Sequence, residues 1–448
     1  MSTRSSDPPA RSGIRLSRRR FIEATATTGA LAALGSLARA QNVPVVPEPW
    51  FSACSLAKAI REKHVSAAEA VKHSLEAIET MNPQLDAIVS VCAERALAEA
   101  AAADAALRKG RIKGALHGVP FTMSDAFDTQ GVVSGAGTSG RRNFVPSRDA
   151  TVVARLRAAG AILIGKSRTA ELSLGPRPSA GGGALVAAGA SAFDLDADLS
   201  GLVREPAAAN GLAGLKPTFG RMPRTGHILG YGGAFDTFVE SGPLARRVED
   251  LALLLSLLCG PDYSDAAMVP VPLGDPARVA LRSLRVATLV AGLELKPDPA
   301  MASVVARFEA AGSRVTTDIP PRMREFGELC AHYLAGDGGE HVRRLLRRCG
   351  TSQASSTGIG TEMNDLPSPE FTRVREEIDA IKAEQLEWFQ ACDLLICPSA
   401  SPAPAGWPFG IVRVGTTTAG LPLTVQLVAR PWREDVLLAA LAYAEIGA

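Results

Sequence analysis

Thr151-Val152-Val153-Ala154-Arg155-Leu156-Arg157-Ala158-Ala159-Gly160-Ala161-Ile162-Leu163-Ile164-Gly165-Lys166 puts two secondary-structure signals side by side. Over Thr151–Ala159 the apolar residues recur at helical spacing, with Arg155 and Arg157 between them. Ala161–Ile164 is a short continuous apolar run that follows a glycine and ends at Gly165-Lys166, the pattern of a strand buried on both faces. The same alternation extends in both directions. Upstream, residues 55–82 carry apolar stripes (Leu56, Ile60, Val65, then Ala70, Val71, Leu75, Ile78), Glu94 to Leu107 reads as an Ala-rich helix, and Val119–Thr122 as a strand. Downstream, Leu185–Ala190 reads as a helix leading into a loop at 192–204. Val248–Leu258 is a strongly apolar helix, and Leu284–Val290 and Leu394–Ile396 are strands. Helices alternating with apolar strands predict an α/β fold, a mixed β-sheet covered on both faces by α-helices.

The chain has 448 residues, 46% hydrophobic and 21% charged, a globular composition. Its length fits two to four domains of about 100–200 residues or one large α/β domain. Lys and Arg number 48 against 46 acidic residues, and aromatics are only 5%. Neither the basic excess nor the stacking residues of a nucleic-acid binder are there. No uninterrupted apolar run reaches the ~18 residues a membrane span needs.

The charge is unevenly spread. Residues 1–40 contain seven Arg and two acidic residues, so the rest of the chain is slightly negative. Ser17-Arg18-Arg19-Arg20-Phe21-Ile22 precedes a mildly apolar stretch from Ala24 to Leu37, and Ala38-Arg39-Ala40 follows. This resembles a twin-arginine export signal with an A-x-A cleavage site. It implies cleavage after Ala40, a mature chain of 41–448 and a periplasmic location. Seven cysteines without a C-x-x-C pair indicate neither a disulfide framework nor a zinc site. Cys330 and Cys349 flank a Gly-rich turn and are the one pairing to check. Arg343, Arg344, Arg347 and Arg348 read as a solvated helix face.

Five stretches carry a further signal. They are Leu116-His117-Gly118-Val119-Pro120-Phe121-Thr122, then Arg148–Val153 with Ala159–Lys166. Next come Gly211-Leu212-Ala213-Gly214-Leu215-Lys216-Pro217-Thr218-Phe219-Gly220-Arg221 and Ser241–Arg246 running into Val248–Leu251. The last is Gly420-Leu421-Pro422-Leu423-Thr424-Val425-Gln426-Leu427-Val428. In this order they resemble the amidase signature family. The resemblance implies one α/β domain over 41–448 and hydrolysis of carboxylic amide C–N bonds by a Ser–Ser–Lys triad. In that chemistry a desolvated Lys acts as base, a relay Ser passes the proton, and a second Ser attacks the carbonyl. A Gly-rich loop stabilises the oxyanion.

The triad does not carry over. The family's Lys position, followed by Asp, is Ser124 here, and a hydroxyl has no useful basicity near pH 7. The nucleophile loop reads Asp198-Leu199-Ser200-Gly201-Leu202-Val203-Arg204, which puts Leu202 where the nucleophilic Ser stands. Leu199, Ser200 and Gly201 are the remnant of the oxyanion loop. The relay Ser falls on Pro178 when counted without gaps and on Ser179 with one gap. The chain is shortened between Leu174 and Pro178, and again near 406–416, where the resemblance implies an extra strand.

The resemblance therefore implies an amidase-type protein that is catalytically impaired or a pseudoenzyme. Two alternatives stay open. One is an active C–N hydrolase with Ser200 or Ser179 as nucleophile, the other an interaction partner of an active homologue. His117 and His227 are candidate bases; Lys166 and Lys216 match positions outside the triad and read as structural. Asp194, Asp196, Asp198 and Glu205 have the spacing of a calcium loop, but Leu199 occupies the position that needs glycine, so no metal is expected. No cofactor is expected either. The expected ligand is a small amide or carboxylate.

Overall fold

The computed structural model describes residues 52–174, 181–199, 201–289, 299–352, 365–399, 401 and 406–445. Residues 1–40, Pro178, Ser179 and Ser200 lie outside the described residues. All the described residues fall in one compact unit, Val43–Ala448.

Eleven strands are described: β1 (Ile88–Val91), β2 (Pro120–Ser124), β3 (Ile162–Ser167), β4 (Phe193–Asp198), β5 (Ala213–Lys216), β6 (Glu240–Ala245), β7 (Arg285–Thr288), β8 (Arg314–Thr317), β9 (Leu394–Pro398), β10 (Phe409–Thr416) and β11 (Pro422–Ala429). One sheet has the order β1-β3-β2, the other β4-β6-β5-β10-β11-β9-β7-β8. The two meet along β2 and β4. Pro120 O accepts from Ala192 N, Phe121 stacks on Phe193 at 5.1 Å, and the Thr122 hydroxyl lies by the Asp194 carboxyl. These successive matches run β4 beside β2 in the same direction. β2 also runs parallel to β3, with Ser124 opposite Ser167.

Helices lie on both faces because strand residues alternate in direction. On β3, Ile162 and Ile164 pack with helices Ala67–Leu85 and Ala93–Arg108. Leu163, between them, joins the larger core with helices Ala53–Arg61, Thr151–Ala158 and Val248–Leu258. Ser66 caps the second helix in a full capping box with Glu69. The mixed α/β sheet predicted from the sequence is thus the fold.

Two expectations need correction, and one open pairing is resolved. Most of the stretch 192–204 is not a loop: Phe193–Asp198 is a strand paired with β6 over its whole length. Its period-2 pattern was hidden because the alternate residues are aspartates, which are rarely buried. The region near 406–416 supplies a strand after all, since β10 is eight residues long and pairs with β5 and β11. Cys330 and Cys349 are not paired; all seven cysteines are free thiols. Arg343, Arg344, Arg347 and Arg348 are exposed on helix Glu340–Arg348, as expected.

Candidate functional site

β2, β3 and β4 are parallel neighbours, so their carboxyl ends open on one edge, where ligands bind in open α/β sheets. Ser124 ends β2, the segment holding 175–180 leaves from β3, and the loop with Leu202 leaves from β4. The fold thus brings Ser124 and the loop of Leu202, two of the expected triad positions, to a common edge; Pro178 and Ser179 lie outside the described residues. The side chains there are another matter.

Ser124 is fully buried, and its Oγ accepts only a long contact from Ala126 N, 3.4 Å. No lysine or histidine hydrogen-bonds to it among the described residues. Asp125, next to it, accepts from Gly135 N at 3.0 Å and shapes the following loop; burial raises its pKa. Leu202 is 5% exposed, an apolar group turned into the protein. Its loop is held by Asp198, whose carboxylate accepts from Gly201 N at 2.8 Å, Val203 N at 3.0 Å and Arg204 N at 3.2 Å. The Gly201 N–H is therefore spent inside the loop. Gly201 has φ +104°, a backbone conformation that favours glycine. Leu199, half-buried, packs against the core.

Two buried charges lie beside this edge. Lys166 is fully buried; desolvation lowers its pKa to about 8, opposed by Asp125. Its Nζ donates to Phe127 O at 2.6 Å and Thr129 Oγ1 at 3.0 Å, which pins the loop after β2. Asp194 is fully buried, and desolvation raises its pKa to about 6, against the pull of the Thr122 and Ser167 hydroxyls and Lys166. Those hydroxyls are its polar neighbours, but neither carboxylate oxygen has a partner at hydrogen-bond geometry among the described residues. Gly182 packs directly on it: a Cβ there would lie 2.1 Å from Asp194 Cγ. Sequence reading missed Asp194 as a buried acid. The signal was the alternation Phe193, Leu195, Ala197 that places it on a strand.

The other candidates divide. His117 is structural, with Nδ1 accepting from Lys113 N at 3.1 Å and Nε2 3.2 Å from Ala103 O. His227 is 6% exposed and forms an isolated bridge with Phe127. Its Nδ1 takes Leu229 N at 3.4 Å, and its Nε2 has no partner among the described residues. Desolvation, then Arg224 and Lys166, lowers its pKa to about 3, so it is neutral near pH 7 and a poor base. Lys216 donates to Pro217 O, and burial lowers its pKa. It sits in a buried ionic layer with Glu240, which accepts from Gly220 N, and with Arg221, which pairs with Glu434 at 2.7 Å. The stretch Gly211–Arg221 is therefore architecture.

Metal binding gains no support at Asp194, Asp196, Asp198 and Glu205. The three aspartates lie on one face of an extended strand, about 7 Å apart per step, and Asp198 is committed to its loop. Among the described residues, ligand atoms converge only at Cys54, Glu249 and Asp250. There Asp250 accepts from Ser52 Oγ and Cys54 N as a cap on helix Ala53–Arg61.

A family model described as Amidase matches residues 69–177 and 178–406. The chain belongs to the amidase family. The A-subunit of glutamyl-tRNA(Gln) amidotransferase from Anaeromyxobacter dehalogenans (strain 2CP-C) is 30% identical over 462 residues, spanning 85% of this chain and 93% of its own. The solved native peptide amidase of Stenotrophomonas maltophilia superposes with TM-score 0.74 at 24% identity, covering 89% of this chain and 97% of its own. The solved 6-aminohexanoate cyclic dimer hydrolase gives TM-score 0.75 at 23% identity, covering the same shares. These two likenesses establish the fold. By name, these relatives are two hydrolytic enzymes and one component of an amidotransferase. No described helix of this chain is long and apolar enough to cross a membrane.

Proposed function

We propose that this chain is an exported amidase-family protein in which the Ser–Ser–Lys route is lost or strongly impaired, the fold being kept to bind a small amide or carboxylate. The observation that carries this reading is Leu202. It is buried in the loop that Asp198 organises, where the family resemblance puts the nucleophilic oxygen. Ser124 compounds the loss, because among the described residues no amine hydrogen-bonds to it and a hydroxyl is a poor proton acceptor. Triads act as a unit, so losing base and nucleophile together removes about 10⁴-fold or more in rate.

A serine-directed fluorophosphonate tests this. The wild-type protein is expected to stay unlabelled. Labelling that Ser200→Ala or Ser179→Ala abolishes would establish a surrogate nucleophile and overturn the reading. A second reading, partnership with an active homologue, is favoured by the relative that is one component of an amidotransferase. It predicts a stable hetero-complex in a pull-down from periplasm, and a lone monomer or homodimer counts against it.

Export follows from the Arg18-Arg19 pair and Ala38-Arg39-Ala40. The exported protein is expected to begin at Gln41 by N-terminal sequencing, and replacing Arg18 and Arg19 by Lys to hold it in the cytoplasm. An uncut chain in the cytoplasm of wild-type cells would refute export.

A further inference from the structure

Helix Glu340–Arg348 ends against the loop that follows β2. Thr138 Oγ1 and Thr351 Oγ1 are 2.8 Å apart, and Gly140 N donates to Thr351 Oγ1 at 2.9 Å. Between the two segments lies a cavity of about 140 Å³. Arg141, Asp128, His227 and Arg348 supply its polar wall, Ile228 and Leu345 its apolar one, and Cys349 also lines it.

The polar wall is unbalanced. Arg141 pairs with Asp128, so those two charges cancel. Among the described residues Arg348 has no carboxylate partner, so the described wall carries one net positive charge. His227 is more than nine-tenths buried, and its Nε2 has no partner among the described residues. Because Nδ1 accepts from Leu229 N, Nε2 carries the hydrogen of the neutral ring and presents an unused donor. Leaving a buried donor unpaired costs about 1–3 kcal/mol, which an acceptor in the cavity would recover.

The thiol offers no alternative chemistry. Burial raises the Cys349 pKa even beside Arg141, and neutral His227 is too weak a base to activate it. The wall is built to hold an anion, not to attack an electrophile.

We propose that this cavity binds a small aliphatic monocarboxylate. Its carboxylate sits between the Arg141 and Arg348 guanidiniums and accepts from His227 Nε2–H, with the tail against Ile228 and Leu345. A single net positive charge matches a monoanion, guanidinium geometry suits a carboxylate, and the two aliphatic side chains suit a short hydrocarbon. The inference rests on the reading of a fold kept for binding and names the class of ligand and its place.

Calorimetric titration of the purified full chain with propionate, propionamide and inorganic phosphate tests it. Propionate is expected to bind, with propionamide and phosphate at least tenfold weaker. Arg348→Gln, on an exposed residue, is expected to weaken propionate at least tenfold with the melting temperature unchanged. His227→Ala should weaken it similarly, and Cys349→Leu, which fills the space without touching the charges, should abolish it. If either of these two variants fails to fold, Arg348→Gln decides alone. No heat with propionate, equal affinity for propionamide, or full affinity in Arg348→Gln would each overturn the proposal. Fluorophosphonate labelling reports on the strand-edge site and calorimetry on this cavity, so either reading can fail without the other.

Discussion

Asp194 is a buried acid whose chemistry departs far from that of an ordinary surface carboxylate. Its pKa rises from the usual carboxylate value near 3.8 to about 6, because burial disfavours the ion. Below about pH 4 the group is neutral in the folded and unfolded chain alike, and above about 6 it is ionised in both. Between those values the folded state binds more protons, so stability falls as pH rises through that window. Asp194→Asn removes the charge and keeps the shape. It is expected to stabilise the protein by up to about 3 kcal/mol at pH 8, with the gain vanishing near pH 4, as read from denaturant melts at both values. The neighbouring Gly182 is constrained by the same carboxyl, since a methyl there has no room. At this scale Ser124 and Leu202 were legible from the sequence, because a hydroxyl and an aliphatic side chain carry their chemistry in their names. Sequence reading named His227 as a candidate base and Asp194 in a calcium-type spacing, but the properties of both come from burial rather than from residue type.

The element that matters most is the turn from β4 into helix Arg204–Asn210. One carboxylate, Asp198, accepts three backbone N–H groups that would otherwise be orphaned at the start of the helix. The loop that the resemblance equates with the family's nucleophile loop is held by these Asp198 hydrogen bonds. Asp198→Ala should destabilise the protein by about 2–4 kcal/mol, since it strips several buried donors of their acceptor. Hydrogen exchange is expected to accelerate first at 201–205; protection unchanged there would show that the carboxylate is dispensable. Asp198 and Gly201 were legible from the sequence as matches to a motif. That 193–198 is a strand was not, because three aspartates at alternate positions look like a solvated loop until β6 pairs with them.

At the scale of the whole molecule, buried ion pairs tie segments far apart in the chain. Arg221 and Glu434 are 1% and 0% exposed, and Glu434 also accepts from Thr218 N. Removing one partner leaves the other charge buried and unpaired, so Arg221→Met is expected to cost about 3–5 kcal/mol. The double variant with Glu434→Gln should recover part of that loss in equilibrium unfolding, and strict additivity would argue against direct coupling. The sequence by itself determined the α/β class, because the spacing of apolar residues dictates which faces can be buried. It also determined the family, through five ordered stretches, and it puts Ser and Leu at positions 124 and 202. The tertiary structure alone decided which polar groups are desolvated and what they meet. It gathered the ends of β2, β3 and β4 on one edge, spent Lys166 and Lys216 on structure, and left His227 Nε2 without a described partner in a cavity with Arg348. The physical reason is that a group's pKa and hydrogen bonding depend on neighbours brought in from distant parts of the chain, whereas periodicity and side-chain chemistry are local.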